Sequence, residues 1–228
     1  PWGSGTLRLR KNLDEFMLVW QDNNFQARTQ RLSASGSTIG PSVAVAESTG
    51  WAPAIAYSPT SRKYVVSSME RGAQWITFLN EDGTPLRPPV LQDTRTPDPG
   101  TIMFAGGYQD VVWRPVEDQF LCVWTSGTYD SAGWGNQVMC DLRNAGDGTV
   151  VRGTIVLRDL SGPLGLGSPT VAYNAATDGY WLSYDFYGVF GFGLDGTATA
   201  MTPPVIDLGG LGPPSGAWNP ARNEYLLA

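Results

Sequence analysis

Residues 53–66 read PAIAYSPTSRKYVV: an apolar segment that ends near an aromatic residue, a polar turn, and a second apolar segment opened by another aromatic residue. This arrangement occurs five times along the chain. The aromatic residue that opens the second segment is taken as the anchor of each repeat: Phe16, Tyr64, Phe120, Tyr180 and Tyr225. Consecutive anchors are 48, 56, 60 and 45 residues apart. Seven residues before each anchor stands a second large apolar residue: Leu9, Tyr57, Trp113, Tyr173 and Trp218. Two such segments joined by a polar turn predict a β-hairpin.

Each of the first four hairpins is followed by two further apolar segments with a glycine turn between them. The third segments end at Leu32, Leu79, Leu142 and Leu194, and the fourth lie at residues 43–45, 89–91, 155–157 and 205–207. Four antiparallel strands cannot bury both faces of their sheet alone, and radial stacking of such units solves this problem. The sequence therefore predicts an all-β protein, a β-propeller with four complete four-stranded antiparallel blades and a C-terminal half-blade. A β-sandwich is the alternative, but its strands do not ordinarily repeat one motif at a constant offset.

The predicted propeller is a single domain over residues 1–228. Its blades cover residues 5–46, 53–92, 108–158 and 168–208, with a partial blade at 215–228. The fifth anchor, Tyr225, is followed by only three residues, so the last blade has a first and a second strand. We expect its outer strands to come from a continuation of the chain into further blades or from a neighbouring subunit by β-augmentation.

Composition agrees with short strands and tight turns and excludes several functional classes. The chain is 42% hydrophobic and 16% charged, with 28 Gly and 17 Pro. Its net charge is −6 without a basic run, which argues against nucleic acid as a partner. No apolar stretch approaches the length of about 20 residues that a membrane span requires. Histidine is absent, which excludes Ser-His-Asp and Cys-His catalysis and metal sites that contain histidine.

Several segments resemble a repeat of secreted bacterial β-propeller proteins, which reads approximately Pro-x-Val-Ala-Tyr-Asn-Pro, Glu-Tyr-Leu-Val-Val-Trp and an Asp-Gly-Thr turn. The matching segments are residues 53–59, 169–174, 195–197, 217–220 and 223–227. Members of that family are mostly uncharacterised surface or secreted proteins, and related propellers include lectins. The resemblance implies a secreted or cell-surface location. It says little about activity, because the repeated residues are core and turn positions.

The longest segments without a clear strand pattern are residues 125–136 and 92–107, which belong to one face of the predicted third blade. The first contains Tyr129, Asp130 and Trp134, and the second contains Arg95 and Asp98. Aromatic residues beside hydrogen-bonding groups are typical of sugar sites. The alternative is that the aromatic residues cover the side of the propeller while the acids face water. We therefore expect a non-catalytic extracellular module that binds a glycan or a protein, or that assembles into an extracellular structure.

The alternative function is a polysaccharide-active glycosidase, which needs two carboxylates about 5–9 Å apart. Asp110 and Glu70 are the candidate catalytic residues, because Asp110 begins an inner strand and Glu70 lies near a loop on the same face. No cofactor is expected. A structural Ca²⁺ is conceivable at the oxygen-rich turns 80–83 and 144–148, although turns of this composition usually serve the backbone geometry alone.

The two cysteines give a prediction about covalent structure. Pairing Phe120 with Leu142 in the third blade places Cys122 directly opposite Cys140 and Trp124 opposite Val138. Directly opposed cysteines can meet disulfide geometry, and an exported protein would oxidise them. The sequence therefore predicts a Cys122–Cys140 disulfide that closes residues 125–136. The alternative is two buried thiols.

Overall fold

The computed structural model describes residues 5–10, 15–49, 51–70, 73–92, 102–130, 133–161, 168–185, 189–201, 206–209 and 215–227. Their secondary structure consists of eighteen strands in five sheets. The first blade contains β1 (Gly5–Arg10), β2 (Glu15–Gln21), β3 (Gln26–Ser33) and β4 (Thr38–Thr49). The second contains β5 (Trp51–Ser58), β6 (Lys63–Glu70), β7 (Ala73–Leu79) and β8 (Val90–Leu91). The third contains β9 (Ile102–Arg114), β10 (Gln119–Asp130), β11 (Gly133–Asn144) and β12 (Val150–Ser161). The fourth contains β13 (Thr170–Asn174), β14 (Gly179–Asp185), β15 (Val189–Asp195) and β16 (Ile206–Gly209), and β17 (Gly216–Asn219) pairs with β18 (Glu224–Leu227).

Within each sheet the strands follow chain order and every pair is antiparallel. The first strands of successive blades are neighbours: β1 with β5, β5 with β9, β9 with β13, and β13 with β17. The first strand of each blade is therefore the inner one, as in a propeller. This confirms the predicted all-β class and the four-stranded antiparallel blades. Among the described residues, no helix has the length and apolar character that a membrane span needs.

The constant offset of seven residues reflects the register of the first hairpin in each repeat. The two apolar residues lie directly opposite each other in all five cases: Leu9–Phe16, Tyr57–Tyr64, Trp113–Phe120, Tyr173–Tyr180 and Trp218–Tyr225. The ring centroids of Tyr57 and Tyr64 are 4.5 Å apart, and those of Tyr173 and Tyr180 are 5.5 Å apart. Opposed aromatic residues stabilise antiparallel pairing, so the aromatic pairs of the second to fifth repeats help to fix the register of their hairpins.

The hydrophobic cores lie between neighbouring blades. In β10, five consecutive residues are completely buried: Phe120, Leu121, Cys122, Val123 and Trp124. Phe120 and Cys122 belong to the core shared with the second blade, whereas Leu121 and Val123 belong to the core shared with the fourth. Because both faces of the blade are covered, its second strand is apolar at each of the positions 120–124 rather than at alternate positions.

The predicted disulfide is wrong, because the third blade pairs one residue out of the predicted register. Cys122 lies opposite Asp141, and Cys140 lies opposite Val123. Opposed residues share a face of the sheet, so the two cysteines belong to different faces. Both are buried free thiols, Cys122 in the core toward the second blade and Cys140 in the core toward the fourth.

The register of the third blade differs from the predicted one because the turn between its third and fourth strands begins at a different place. Leu79 and Leu194 lie opposite their anchors, and the turn begins at the next residue in both blades. In the third blade the turn begins at Asn144, two residues after Leu142, so Leu142 lies opposite Leu121 instead of the anchor. A shift of one residue moves every side chain to the other face. In the first, second and fourth blades, where the apolar residue directly precedes the turn, the register places Leu18 opposite Gln30, Val66 opposite Thr77 and Leu182 opposite Phe192.

Candidate functional site

The third blade is longer than its neighbours at the end that carries the turn between its second and third strands. β10 and β11 have 12 residues each, whereas β14 and β15 have 7. Five additional residues lengthen the sheet by about 17 Å at roughly 3.4 Å per residue. We call the paired segments 102–105, 126–130, 133–137 and 158–161 the blade extension.

The structure corrects the prediction that residues 125–136 form an irregular segment. Residues 125–130 continue β10, and residues 133–136 continue β11. Residues 127, 133 and 135 are glycines, which are depleted in strands. Gly127 and Gly135 have a strand partner on each side and Gly133 pairs with Asp130, and the Thr, Tyr and Trp residues between them favour strand geometry.

Three of the predicted ligand residues lie at the tip of this hairpin. Tyr129 is directly opposite Trp134 on one side and Ile102 on the other, and Asp130 is opposite Gly133. The fold thus places the two predicted aromatic residues directly opposite each other. The sequence predicted only that they belong to the same segment. The remaining predicted ligand residues, Arg95 and Asp98, lie outside the described residues.

Asp110, the candidate catalytic acid, links two blades. Its Oδ1 accepts a hydrogen bond from the Val111 amide at 2.8 Å. Its Oδ2 accepts from the Val171 amide at 3.0 Å and from Thr170 Oγ1 at 3.1 Å, both in the inner strand of the fourth blade. The preceding residue, Gln109, donates to the Ser67 carbonyl of the second blade at 3.4 Å. Adjacent positions of β9 therefore bond to the blades on either side.

Glu70, the other candidate catalytic residue, ends β6 in the second blade and lies opposite Ala73. It lies on the strand that pairs with the inner strand, whereas Asp110 is on the inner strand of the third blade. The two residues therefore occupy different strands of different blades.

A buried polar network between the second and third blades was not anticipated from the sequence. The Asp141 carboxylate accepts from Gln92 Nε2 and from Arg143 Nε, each at 2.7 Å, and the two charged side chains are 1% and 6% exposed. Burial raises the pKa of Asp141, while Arg143, Gln92 and the Cys122 thiol act in the opposite direction. The alternation of Cys140, Asp141, Leu142 and Arg143 between apolar and charged residues is the sequence signal for it.

The turn between the first and second strands has the same backbone in four blades. The residue two positions before the anchor has a left-handed φ: 56° at Arg62, 50° at Asp118, 47° at Asp178 and 55° at Asn223. Asp and Asn tolerate this region better than other residues with a side chain. Trp113 Nε1 donates to Asp118 Oδ1 at 2.8 Å, and Tyr173 Oη donates to Asp178 Oδ1 at 2.9 Å.

These two aspartates also bind the preceding blade. Asp118 accepts hydrogen bonds from the hydroxyls of Ser58 and Ser61 in the second blade. Asp178 accepts from Arg114 Nε at 2.8 Å and from Arg114 Nη2 at 2.5 Å. The hydrogen bond from Arg114 is the main reason that the pKa of Asp178 lies below its ordinary value.

A cavity of about 500 Å³ opens at the turns of the second blade. We call it the turn-face cavity. Its lining residues are Arg31, Ser61, Arg62, Lys63, Asn80, Glu81 and Asp82. All of them belong to the second blade except Arg31, which is on β3 of the first blade. The cavity is therefore formed by two blades and lined almost entirely by polar side chains.

The two oxygen-rich turns considered for calcium already hydrogen-bond internally. Asn144 Oδ1 accepts from the Gly146 amide at 2.8 Å, and Asp147 Oδ1 accepts from the Thr149 amide at 2.9 Å. Asp82 Oδ1 accepts from the Thr84 amide at 2.9 Å. In the described part of the chain, no three acidic or cysteine residues cluster as metal ligands would.

Comparison with known proteins supports the fold. No protein-family model matches the chain, and no curated protein matches its sequence. The hydrazine synthase of Kuenenia stuttgartiensis is 13% identical with a TM-score of 0.64, over 97% of this chain and 70% of that one. A thermostable family-43 glycoside hydrolase is 10% identical with a TM-score of 0.55, over 99% of this chain and 82% of that one. The Dos1 propeller is 11% identical with a TM-score of 0.53, over 95% of this chain and 50% of that one. The topology and these likenesses together define a β-propeller protein. At such identities the likeness extends to the fold alone.

Proposed function

We propose that this chain is a non-catalytic binding module of an extracellular β-propeller protein and that it takes a glycan at the blade extension. The observation that carries this proposal is the opposed pair Tyr129–Trp134 at the tip of the β10–β11 hairpin, with Asp130 next to it. Aromatic side chains offer apolar faces for sugar rings, and a neighbouring carboxylate accepts hydrogen bonds from sugar hydroxyls. The extracellular location rests on the resemblance of the repeats to those of secreted proteins.

The position of Asp110 favours binding over hydrolysis. A glycosidase acid or base must be free to exchange a proton with the substrate. The Asp110 carboxylate instead accepts hydrogen bonds from two backbone amides and one hydroxyl. The bonds to Thr170 and Val171 give the residue a structural role between blades.

A glycan array followed by calorimetric titration of the best ligand tests this function. We expect Trp134→Ala and Tyr129→Ala each to weaken binding about tenfold or more, as loss of an aromatic anchor does. Phe25→Ala is the matched control, because Phe25 is 51% exposed in the corresponding turn of the first blade. Its affinity should equal that of the unmodified protein.

Two results would contradict the proposal. One is the absence of any bound glycan on the array, and the other is unchanged affinity in both blade-extension variants. A reducing-sugar assay on polysaccharides distinguishes glycan binding from the alternative function, glycosidase activity. Hydrolysis that disappears in Asp110→Asn while the unfolding midpoint stays the same would identify an enzyme.

A further inference from the structure

The second blade departs from the other repeats at one position of its turn. The third, fourth and fifth repeats have Asp118, Asp178 and Asn223 there, whereas the second has Arg62. Arg62 nevertheless adopts the same left-handed backbone, with a φ of 56°. Arginine lacks the short polar side chain that makes this region accessible to Asp and Asn. A local rule broken in one member of a repeat points to a functional requirement at that place.

The arginine also reverses the charge of the turn. The Arg62 guanidinium donates to Glu81 of its own blade and is 66% exposed. Glu81 Oε1 also accepts a hydrogen bond from the Tyr57 hydroxyl at 3.2 Å. In the third and fourth blades, the aromatic residue at the position of Tyr57 donates its hydrogen bond to the aspartate of the turn instead. Glu81 therefore takes over the role of the missing acid, and Arg62 is added at the rim of the turn-face cavity.

Lys63 places a second positive charge in the same cavity. Its Nζ donates to Asn80 Oδ1 at 2.9 Å. Within the described ranges no carboxylate forms an ion pair with Lys63.

The second acid of the cavity, Asp82, already forms hydrogen bonds within its own turn. Asp82 Oδ1 accepts from the Thr84 hydroxyl at 2.6 Å and from the Thr84 amide at 2.9 Å. These bonds, and to a smaller extent the charge of Arg31, keep the pKa of Asp82 below its ordinary value. Among the described residues, the cavity thus combines Lys63, which forms no ion pair with a carboxylate, with Asp82, which its hydrogen bonds to Thr84 hold in place.

We propose that the turn-face cavity binds the acidic group, a carboxylate or a sulfate, of a small acidic sugar. Lys63 supplies a point charge, and the exposed guanidinium of Arg62 supplies hydrogen bonds in the planar geometry that oxyanions accept. Asn80 and Asp82 provide side-chain oxygens that can accept hydrogen bonds from sugar hydroxyls. The volume of about 500 Å³ suits a ligand of this size.

This site is separate from the blade extension. In an antiparallel blade, the turns before the second strand and after the third lie at one end, and the turn between these two strands lies at the other. The turn-face cavity belongs to the first end and the Tyr129–Trp134 pair to the second. Each site is therefore tested by its own variants.

Calorimetric titration at low ionic strength with sodium glucuronate, sodium sulfate and neutral glucose tests the proposal. We expect glucuronate to bind and glucose to bind at least about tenfold more weakly, because the acidic group supplies the charge-assisted bonds. Equal affinities for sulfate and glucuronate would identify the free oxyanion as the ligand, whereas tighter binding of glucuronate would identify the acidic sugar.

Arg62→Asn and Lys63→Gln should each weaken glucuronate binding about tenfold. Asn at position 62 suits the backbone, as Asn223 with a φ of 55° shows, so this variant should fold like the unmodified protein. Arg222→Gln is the matched control, an exposed arginine in the corresponding turn of the fifth repeat, and should bind normally. The proposal fails if neither anion binds, or if Arg222→Gln weakens binding as much as the cavity variants do.

Discussion

Replacing Asp110 with alanine separates a structural role for this carboxylate from a catalytic one. Two of the hydrogen bonds that it accepts join the inner strand of the third blade to that of the fourth, through the Val171 amide and the Thr170 hydroxyl. A hydrogen bond to a charged group contributes about 1.5–3 kcal/mol. Loss of both bonds should therefore lower the free energy of unfolding by about 3–6 kcal/mol, with Val171 left as a buried amide without its acceptor.

The experiment is urea unfolding followed by tryptophan fluorescence and far-ultraviolet circular dichroism. Thr170→Val should cost about 1.5–3 kcal/mol in the unmodified protein and almost nothing in the Asp110→Ala background, because its partner is then absent. Glu117→Ala, an exposed acid in the same blade, is the control and should change stability by less than about 0.5 kcal/mol. The reasoning is refuted if Asp110→Ala unfolds at the same urea concentration as the unmodified protein, or if the costs of the Asp110 and Thr170 variants simply add.

Three further outcomes are expected. Gly148→Ala should cost about 1–3 kcal/mol more than Gly36→Ala. Both glycines have left-handed φ angles, but a Cβ at position 148 would lie 2.6 Å from a buried phenylalanine ring, whereas one at position 36 meets no atom within 4 Å; equal losses would contradict this account. Cys122 and Cys140 should both react with Ellman's reagent after unfolding without reductant and resist it in the native protein, where burial raises the pKa of each thiol; detection of no thiol after unfolding would mean a disulfide. Asp178 has a lowered pKa in the folded state, so its contribution to stability is present above its unfolded pKa and is lost as the pH falls through its folded pKa. In the Asp178→Asn variant, the free energy of unfolding should therefore fall less steeply with pH below about pH 4 than in the unmodified protein. An equally steep fall in both proteins would be inconsistent with this role.

Local information was sufficient for the strand pattern and for most of the pairing. The offset of seven between Tyr57 and Tyr64 predicted a hairpin, and the structure shows that the two residues oppose each other. The register of the second and third strands was also predictable wherever the turn follows directly after the apolar residue, as it does after Leu79 and Leu194. These features depend only on residues that are close in the sequence.

The third blade shows where that reasoning ends. Leu142 looked equivalent to Leu79, but two polar residues follow it before the next apolar position, and Asn144 begins the turn. The resulting shift brings Asp141 opposite Cys122. Asp141 then meets Gln92 of the second blade. No local pattern could reveal this contact, because Gln92 and Asp141 are brought together only when two blades stack.

For the candidate sites, too, the sequence predicted which residues are near one another in the chain but not which residues they meet in space. The sequence alone identified Tyr129, Asp130 and Trp134 as a group, since they lie within six residues of one another, but their opposed positions depend on the extension of the hairpin. It also singled out Asp110 without revealing its bonds to the fourth blade.

The sequence by itself determined the all-β class, the repeat and the hairpin of each blade, because strand alternation and turn chemistry are set by neighbouring residues. Only the tertiary structure decided which side chains meet between blades. It brought Arg31 of the first blade to the cavity beside Lys63 and carried the Asp110 carboxylate to Val171. The physical reason is that these contacts join residues up to 61 positions apart, and their geometry depends on how one sheet packs against the next rather than on any property of the chain near either residue.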